Sequence, residues 1–197
     1  MQVTLAKRYK EQNVTGWLMG EKLDGWRALW TGKEFITRTG NKINAPEWFT
    51  SKLPSFPLDG ELHAGRGAFN IVHGILQKTR PLDADWSLIT FSVFDAPSVK
   101  GCYANRLRYL NTGGLGLNVI SFKTCYSYAH LTHFFIKLIW GGAEGVVIRN
   151  PKAPYENFRS TNMLKLKPRF YAEGGLLSAI GAAVLTFKKT VTFKLIN

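Results

Sequence analysis

Acidic residues are scarce in this chain. Thirteen aspartates and glutamates stand against 26 lysines and arginines, a formal charge of +13 over 197 residues. Cysteine is scarcer, at two: Cys102 and Cys125. Two thiols make no disulfide framework and have no metal-ligand spacing, so reduced, partly buried thiols are expected. The four histidines, His63, His73, His130 and His133, are scattered and lack the spacing and carboxylate company of a zinc site. No metal or catalytic role is assigned to them. The apolar stretch from Leu176 to Phe187 is too short to span a membrane. The opening residues, Met1 to Arg8, have no apolar core of signal-peptide length. A cytoplasmic protein without a membrane partner is expected.

What is present suits a globular protein. Hydrophobic residues make up 45% of the chain and the mean hydropathy is −0.09, which argues against wholesale disorder. The length allows one sizeable domain, or one domain and a fragment of another. A pI near 9.9 makes a polyanion the natural partner. No basic amphipathic helix supports a lipid surface, so nucleic acid is the better reading.

Turn signals and periodicity give a coarse order of elements. Trp17 to Glu21 reads as a strand entering a turn and Arg27 to Trp30 as the strand leaving it. Glu34 to Thr39 reads as the next strand, bounded by Gly32 and Gly40. Leu88 to Phe94 and Val146 to Arg149 read as further strands. Tyr103 to Leu110 is expected to be helical with its arginines facing outward. Leu131, Phe134, Phe135, Leu138 and Ile139 form a helical stripe within Ala129 to Trp140, ended by Gly141-Gly142. Strands with interspersed helices point to an α+β fold.

The chemistry concentrates in Glu21-Lys22-Leu23-Asp24-Gly25-Trp26-Arg27. A nucleophilic lysine needs neighbours that favour its neutral amine and hold its rotamer. On a strand and turn, Lys22 and Asp24 would share a face, and Gly25 would let the backbone approach a ligand closely. An ordinary hairpin with Asp-Gly in its turn would carry the same residues. Four more segments follow: Leu58-Asp59-Gly60-Glu61-Leu62, Phe91-Ser92-Val93-Phe94-Asp95, Glu144-Gly145-Val146-Val147-Ile148 and Leu164-Lys165-Leu166-Lys167. Each is weak alone, because Asp-Gly and Glu-Gly are common turn dipeptides.

In this order and at these spacings, the five segments resemble the motifs of the covalent nucleotidyltransferases: DNA ligases, RNA ligases and mRNA capping enzymes. Thr37-Arg38-Thr39-Gly40-Asn41, Ile43-Asn44-Ala45-Pro46, Gly65-Arg66-Gly67-Ala68-Phe69 and the segment from Ala153 through Thr161 narrow the resemblance. They resemble the minimal ATP-dependent DNA ligases of bacteria and phages, Lig E, from about Leu5 to Pro168. The resemblance implies an ATP-grasp-like nucleotidyltransferase domain over residues 1–168, with antiparallel sheets around a nucleotide cleft.

It also implies roles. Lys22 would attack the α-phosphorus of ATP to form lysyl-AMP, with Asp24 orienting it. Glu21, Arg27, Glu61, Phe94, Lys165 and Lys167 would bind the nucleotide, with Glu61 on the ribose hydroxyls and Phe94 on adenine. Glu144, with Glu61, would hold Mg²⁺ or Mn²⁺. Arg38 and Arg159 would touch nicked double-stranded DNA, Arg38 at the 5′-phosphate. Plain alternatives stay open: Phe94 as a core ring, Arg38 as a solvated strand residue, and the acids as solvated strand edges.

Residues 169–197 depart from the resemblance. There the family begins its OB-fold domain, but Gly174 to Phe187 is an apolar, alanine- and glycine-containing run. The remaining chain is too short for a five-stranded barrel. The expectation is an atypical tail, frameshift-like in character, with the OB-fold domain largely or wholly absent. The expected function is ATP-dependent nick sealing by a monomer, truncated and impaired. Alternatives are a nick- or nucleotide-binding relic, and an RNA ligase or capping-type transferase.

Overall fold

The computed structural model describes residues 3–168; the tail over 169–197, and with it the expected domain boundary, lies outside the described residues. The chain runs β1 (Leu5–Arg8), β2 (Leu18–Lys22), β3 (Trp26–Trp30), β4 (Phe35–Thr37), β5 (Lys42–Ile43), α1 (Glu47–Thr50) and β6 (Leu58–His63). It continues through α2 (Phe69–Leu76), α3 (Asp83–Trp86), β7 (Thr90–Asp95), α4 (Tyr103–Thr112), β8 (Asn118–Val119) and β9 (Phe122–Thr124). Then come α5 (Tyr128–Trp140), β10 (Gly145–Arg149) and β11 (Arg159–Leu166).

Two sheets result, in the orders β1-β11-β10-β2-β9 and β5-β4-β3-β6-β7-β8. Pairing is antiparallel except for β1 with β11 and β7 with β8. The tight turn after Lys22 sends β2 into the first sheet and β3 into the second. The expected nucleophile therefore sits where the sheets diverge.

Each sheet buries its own apolar face. On the first, Met19, Val146, Ile148, Leu164 and Leu166 pack with Leu131, Phe135 and Ile139 of α5. This is the helical stripe legible in the sequence. Ser127 caps α5, its hydroxyl accepting from the His130 amide at 3.1 Å. On the second, Ala28, Trp30, Leu58, Leu62 and Val93 pack with Val72 and Ile75 of α2 and with Trp86.

Several expectations need correction. Glu34 to Thr39 is strand only over Phe35–Thr37, because Thr39 and Gly40 turn the chain. The last strand of the second sheet's centre starts at Thr90 rather than Leu88, since α3 and the turn after it take up the preceding residues. The arginines of α4 do not all face outward: Arg106 is fully buried. No helix among the described residues is long and apolar enough to cross a membrane.

Candidate active site

A cavity of about 600 Å³ opens between the sheets, lined by residues of β2, β3, β6, β7, β10 and β11. Of the residues singled out in the sequence, Glu21, Lys22, Arg27, Arg38, Glu61, Phe94, Arg159 and Lys165 all line it. Glu144 and Lys167 are not in its lining, but Glu144 contacts Lys22 and Lys167 contacts Glu144. Asp24 does not line it.

Lys22 ends β2, opposite Gly145 in the β2–β10 register. That pairing brings Glu144, the residue before β10, alongside. The Lys22 ammonium donates to the Glu144 carboxylate and, at 3.4 Å, to the Leu23 carbonyl. Lys167 pairs with the other Glu144 oxygen. Glu144, not Asp24, therefore holds the amine. Gly25 is confined by β6: a Cβ there would lie 2.3 Å from the Leu62 carbonyl oxygen. Its backbone packs closely on β6, and the residue also lines the cavity. Gly145 is equally confined, with a Cβ position 2.1 Å from the Leu166 carbonyl oxygen.

Arg27 is committed as well. Its guanidinium donates to Asp59 at 2.9 and 2.6 Å and to the Thr4 carbonyl at 2.6 Å. It also lies 5.2 Å from the centroid of the Phe94 ring. Burial alone would lower its pKa, but Asp59 outweighs that and raises it. Tyr155 donates to the same Asp59 at 2.7 Å. Phe94 is 9% exposed, as a core ring would be, and is also part of the cavity wall.

Electrostatics differ sharply across the cavity. Burial pushes the Glu61 carboxyl up to about 7, against the opposing pull of Lys22 and Arg27. Burial, with the charges of Lys167, Arg159 and Lys22, lowers Lys165. At the rim, Arg38 projects from a turn ordered by the Thr37–Thr39 hydroxyl contact at 3.0 Å and by the Asn41 amide bonded to Thr37 Oγ at 3.0 Å. Gly40 supplies that turn's left-handed residue, φ 92°. Arg159 donates to the Ala6 carbonyl at 2.8 Å. Glu21 is held by Arg66 through two bonds, at 2.8 and 2.7 Å.

Among the described residues no group of three or more His, Cys, Asp or Glu could hold a metal. Glu61 and Glu144 nevertheless offer two hard oxygen donors near Lys22. Mg²⁺ commonly takes one or two carboxylates and fills its shell with waters and substrate phosphates. The pair fits that mode and not an all-protein cage.

Sequence reasoning missed a layer of polar side chains behind Phe94: buried Asp59, Asp95, Tyr103, Arg106 and Arg149, and half-buried Tyr155. Asp59 and Asp95 stood in plain view within apolar strands. A carboxylate there must be paired to be tolerated, and that was the available signal. A second omission is the stack of Trp26, Phe69 and His73 on the cavity wall, with Trp26 and His73 centroids 4.9 Å apart.

No family model matches the chain. A DNA ligase of Haemophilus influenzae is 37% identical over 169 residues, covering 83% of this chain and 62% of that relative. A solved Lig E DNA ligase structure superposes with a TM-score of 0.76 at 33% identity, covering 85% of this chain and 68% of that one. The chain belongs to the Lig E family of ATP-dependent DNA ligases. Its adenylation-domain fold extends to more distant proteins. The Chlorella virus DNA ligase-adenylate superposes at a TM-score of 0.70 with 19% identity, covering 85% and 69% of the two chains. This Lig E chain spans about three-fifths of the Haemophilus relative's length, 62%.

Proposed function

We propose that this chain transfers AMP from ATP to Lys22 and passes it on to seal nicks in duplex DNA. One observation carries the reading: the Lys22 amine, pinned by Glu144, lies at a 600 Å³ cavity whose wall also presents Phe94, Glu61 and Lys165. The attacking amine needs a lone pair, so Lys22 must first give up its proton. Its nitrogen then bonds to the α-phosphorus of ATP, the bond to the bridging oxygen breaks, and pyrophosphate leaves with that oxygen. Phe94 offers an adenine a stacking face, a contact worth about 1–3 kcal/mol per base. Glu61 accepts from or donates to the ribose hydroxyls. Lys165 and Lys167 meet the phosphates. Mg²⁺, or Mn²⁺ in its place, would be held by Glu61 and Glu144 and would offset phosphate charge.

AMP would then move to the 5′-phosphate of a nick, and the adjoining 3′-hydroxyl would displace it. Arg38 and Arg159, at the cavity and exposed, suit the phosphates of that strand. Asp24 is left with a role in the turn after Lys22. We place the protein as a monomer in the cytoplasm, serving DNA repair, replication or recombination. Intact mass after incubation with ATP and Mg²⁺, with GTP alongside, tests the first step. A gain equal to AMP with ATP supports the reading; no gain, or a GMP adduct instead, sinks it.

A further inference from the structure

Behind the cavity wall, one carboxylate binds arginines from two directions. Asp95, at the end of β7 and fully buried, accepts from Arg106 Nε at 2.6 Å and Nη2 at 3.2 Å. The oxygen that takes the Arg106 Nη2 bond, Oδ2, also accepts from Arg149 Nη2 at 2.6 Å. Arg106 belongs to α4, on the same side as Asp95, and its remaining bonds go to the carbonyls of Gly101 and Ala153. Arg149 ends β10, in the other sheet, and alone of the two lines the cavity.

The Arg149 guanidinium is fixed on every side. It lies 3.7 Å from the Tyr103 ring centroid, and its Nη1 donates to the Phe94 carbonyl at 3.5 Å. Tyr103 donates to the same carbonyl at 3.1 Å. The backbone of Phe94 is therefore tied to β10, a strand of the opposite sheet. β10 presents Val147 to the same cavity that Phe94 lines.

We propose that Arg149 is a positioning residue that sets the width of the nucleotide cleft by tying Phe94 to β10 through Asp95. The idea rests on the nucleotide-binding reading above. Its physics is separate. Well-packed apolar residues often replace a buried ion pair without loss of stability. What directional bonds add is a fixed separation, where apolar faces can slide. A base held between two walls is sensitive to that separation, because a radial gap of about 0.5–1 Å forfeits a quarter to a half of each contact's attraction. The deep placement of Arg149 also explains how a cavity-lining arginine can do this without touching a ligand: its side chain is only 5% exposed.

The test compares ATP binding, by equilibrium titration, in the wild type, Arg149→Lys, Arg149→Met and Arg106→Met. Arg149→Met should raise the dissociation constant for ATP about tenfold or more, and Arg149→Lys by less, since it keeps charge without the fork. Single-turnover adenylation at saturating ATP should change less than about threefold, because the reacting groups are untouched. Arg106→Met, which removes an equal charge from Asp95 and a long 3.4 Å bond to Ala153 but keeps the Arg149 tie to Phe94, should leave ATP affinity near the wild-type value. A folded Arg149→Met with wild-type affinity overturns the proposal, as does an equal loss in Arg106→Met. If Arg149→Met does not fold, Arg149→Lys decides. If the wild type itself fails to bind ATP, the functional reading falls. The tie is then judged by amide exchange: faster exchange in both β7 and β10 of Arg149→Lys supports it, and unchanged exchange overturns it.

Discussion

Arg27 and Asp59 are joined diagonally across two strands, by a pair of bonds at 2.9 and 2.6 Å. In the β3–β6 register, Arg27 stands opposite Glu61 and Asp59 opposite Leu29. A motif arginine that the family resemblance assigns to nucleotide is thus engaged with protein on its forked edge. Its flat face is turned to Phe94. Both side chains line the cavity.

Removing either partner should be costly. Arg27→Met leaves Asp59, 1% exposed at its side chain, without its counter-charge. A buried pair broken on one side costs about 3–5 kcal/mol. Urea denaturation should show a loss of that order. The double variant Arg27→Met/Asp59→Asn should recover part of it, and a double variant no better than the single one would refute the pairing account.

Lys22 is expected to be the residue adenylated. Lys22→Ala should show no AMP adduct by intact mass. Lys22→Arg should fail equally, because arginine stays protonated and supplies no lone pair. A label that persists in either variant would move the nucleophile elsewhere.

Glu61 should give the protein a pH signature. Its carboxyl is raised to about 7 in the folded protein from an ordinary value of 4.5. Between those values the folded state binds the extra proton, so unfolding free energy should fall as pH rises from about 4.5 to 7. The contribution is fully present below the lower value and gone above the upper one. Glu61→Gln should flatten that slope in denaturation curves taken at several pH values. A slope that survives the substitution assigns it to other groups.

Gly25→Ala should damage the turn and also press on Glu61 Cγ, 3.0 Å from the new methyl position. The new methyl would meet the Leu62 carbonyl at 2.3 Å and the His63 Cβ at 2.8 Å. Overpacking of this kind costs about 1–3 kcal/mol. Thermal unfolding should show the loss even without nucleotide; an unchanged midpoint would mean that the β3–β6 contact is looser than described.

DNA binding should weaken steeply with salt. Each phosphate neutralised contributes about −0.9 to the slope of log affinity against log salt. Arg38→Ala should cost more on a 5′-phosphorylated nick than on intact duplex, measured by titration of labelled DNA. Equal losses on both would make Arg38 a general surface charge.

Local chemistry was legible in the sequence wherever short-range rules decide. The turn after Lys22, the stripe on α5 and the strand at Val146–Arg149 follow from periodicity and turn residues within a few positions. The gathering of Lys22, Glu61, Phe94 and Lys165 was instead implied by the resemblance of the ordered motifs to the nucleotidyltransferases. What the tertiary structure alone decided are partnerships between distant residues. Lys22 meets Glu144 because β2 pairs with β10, 122 positions away. Asp95 meets Arg149 across 54 positions and between two sheets. Arg106 reads as a surface residue of a polar helix until Asp95 gives it a partner. Periodicity reports which face of an element is apolar. It cannot report which charge waits on the opposite wall, because burying a charge depends on its partner and the partner's place is set only when the sheets close together.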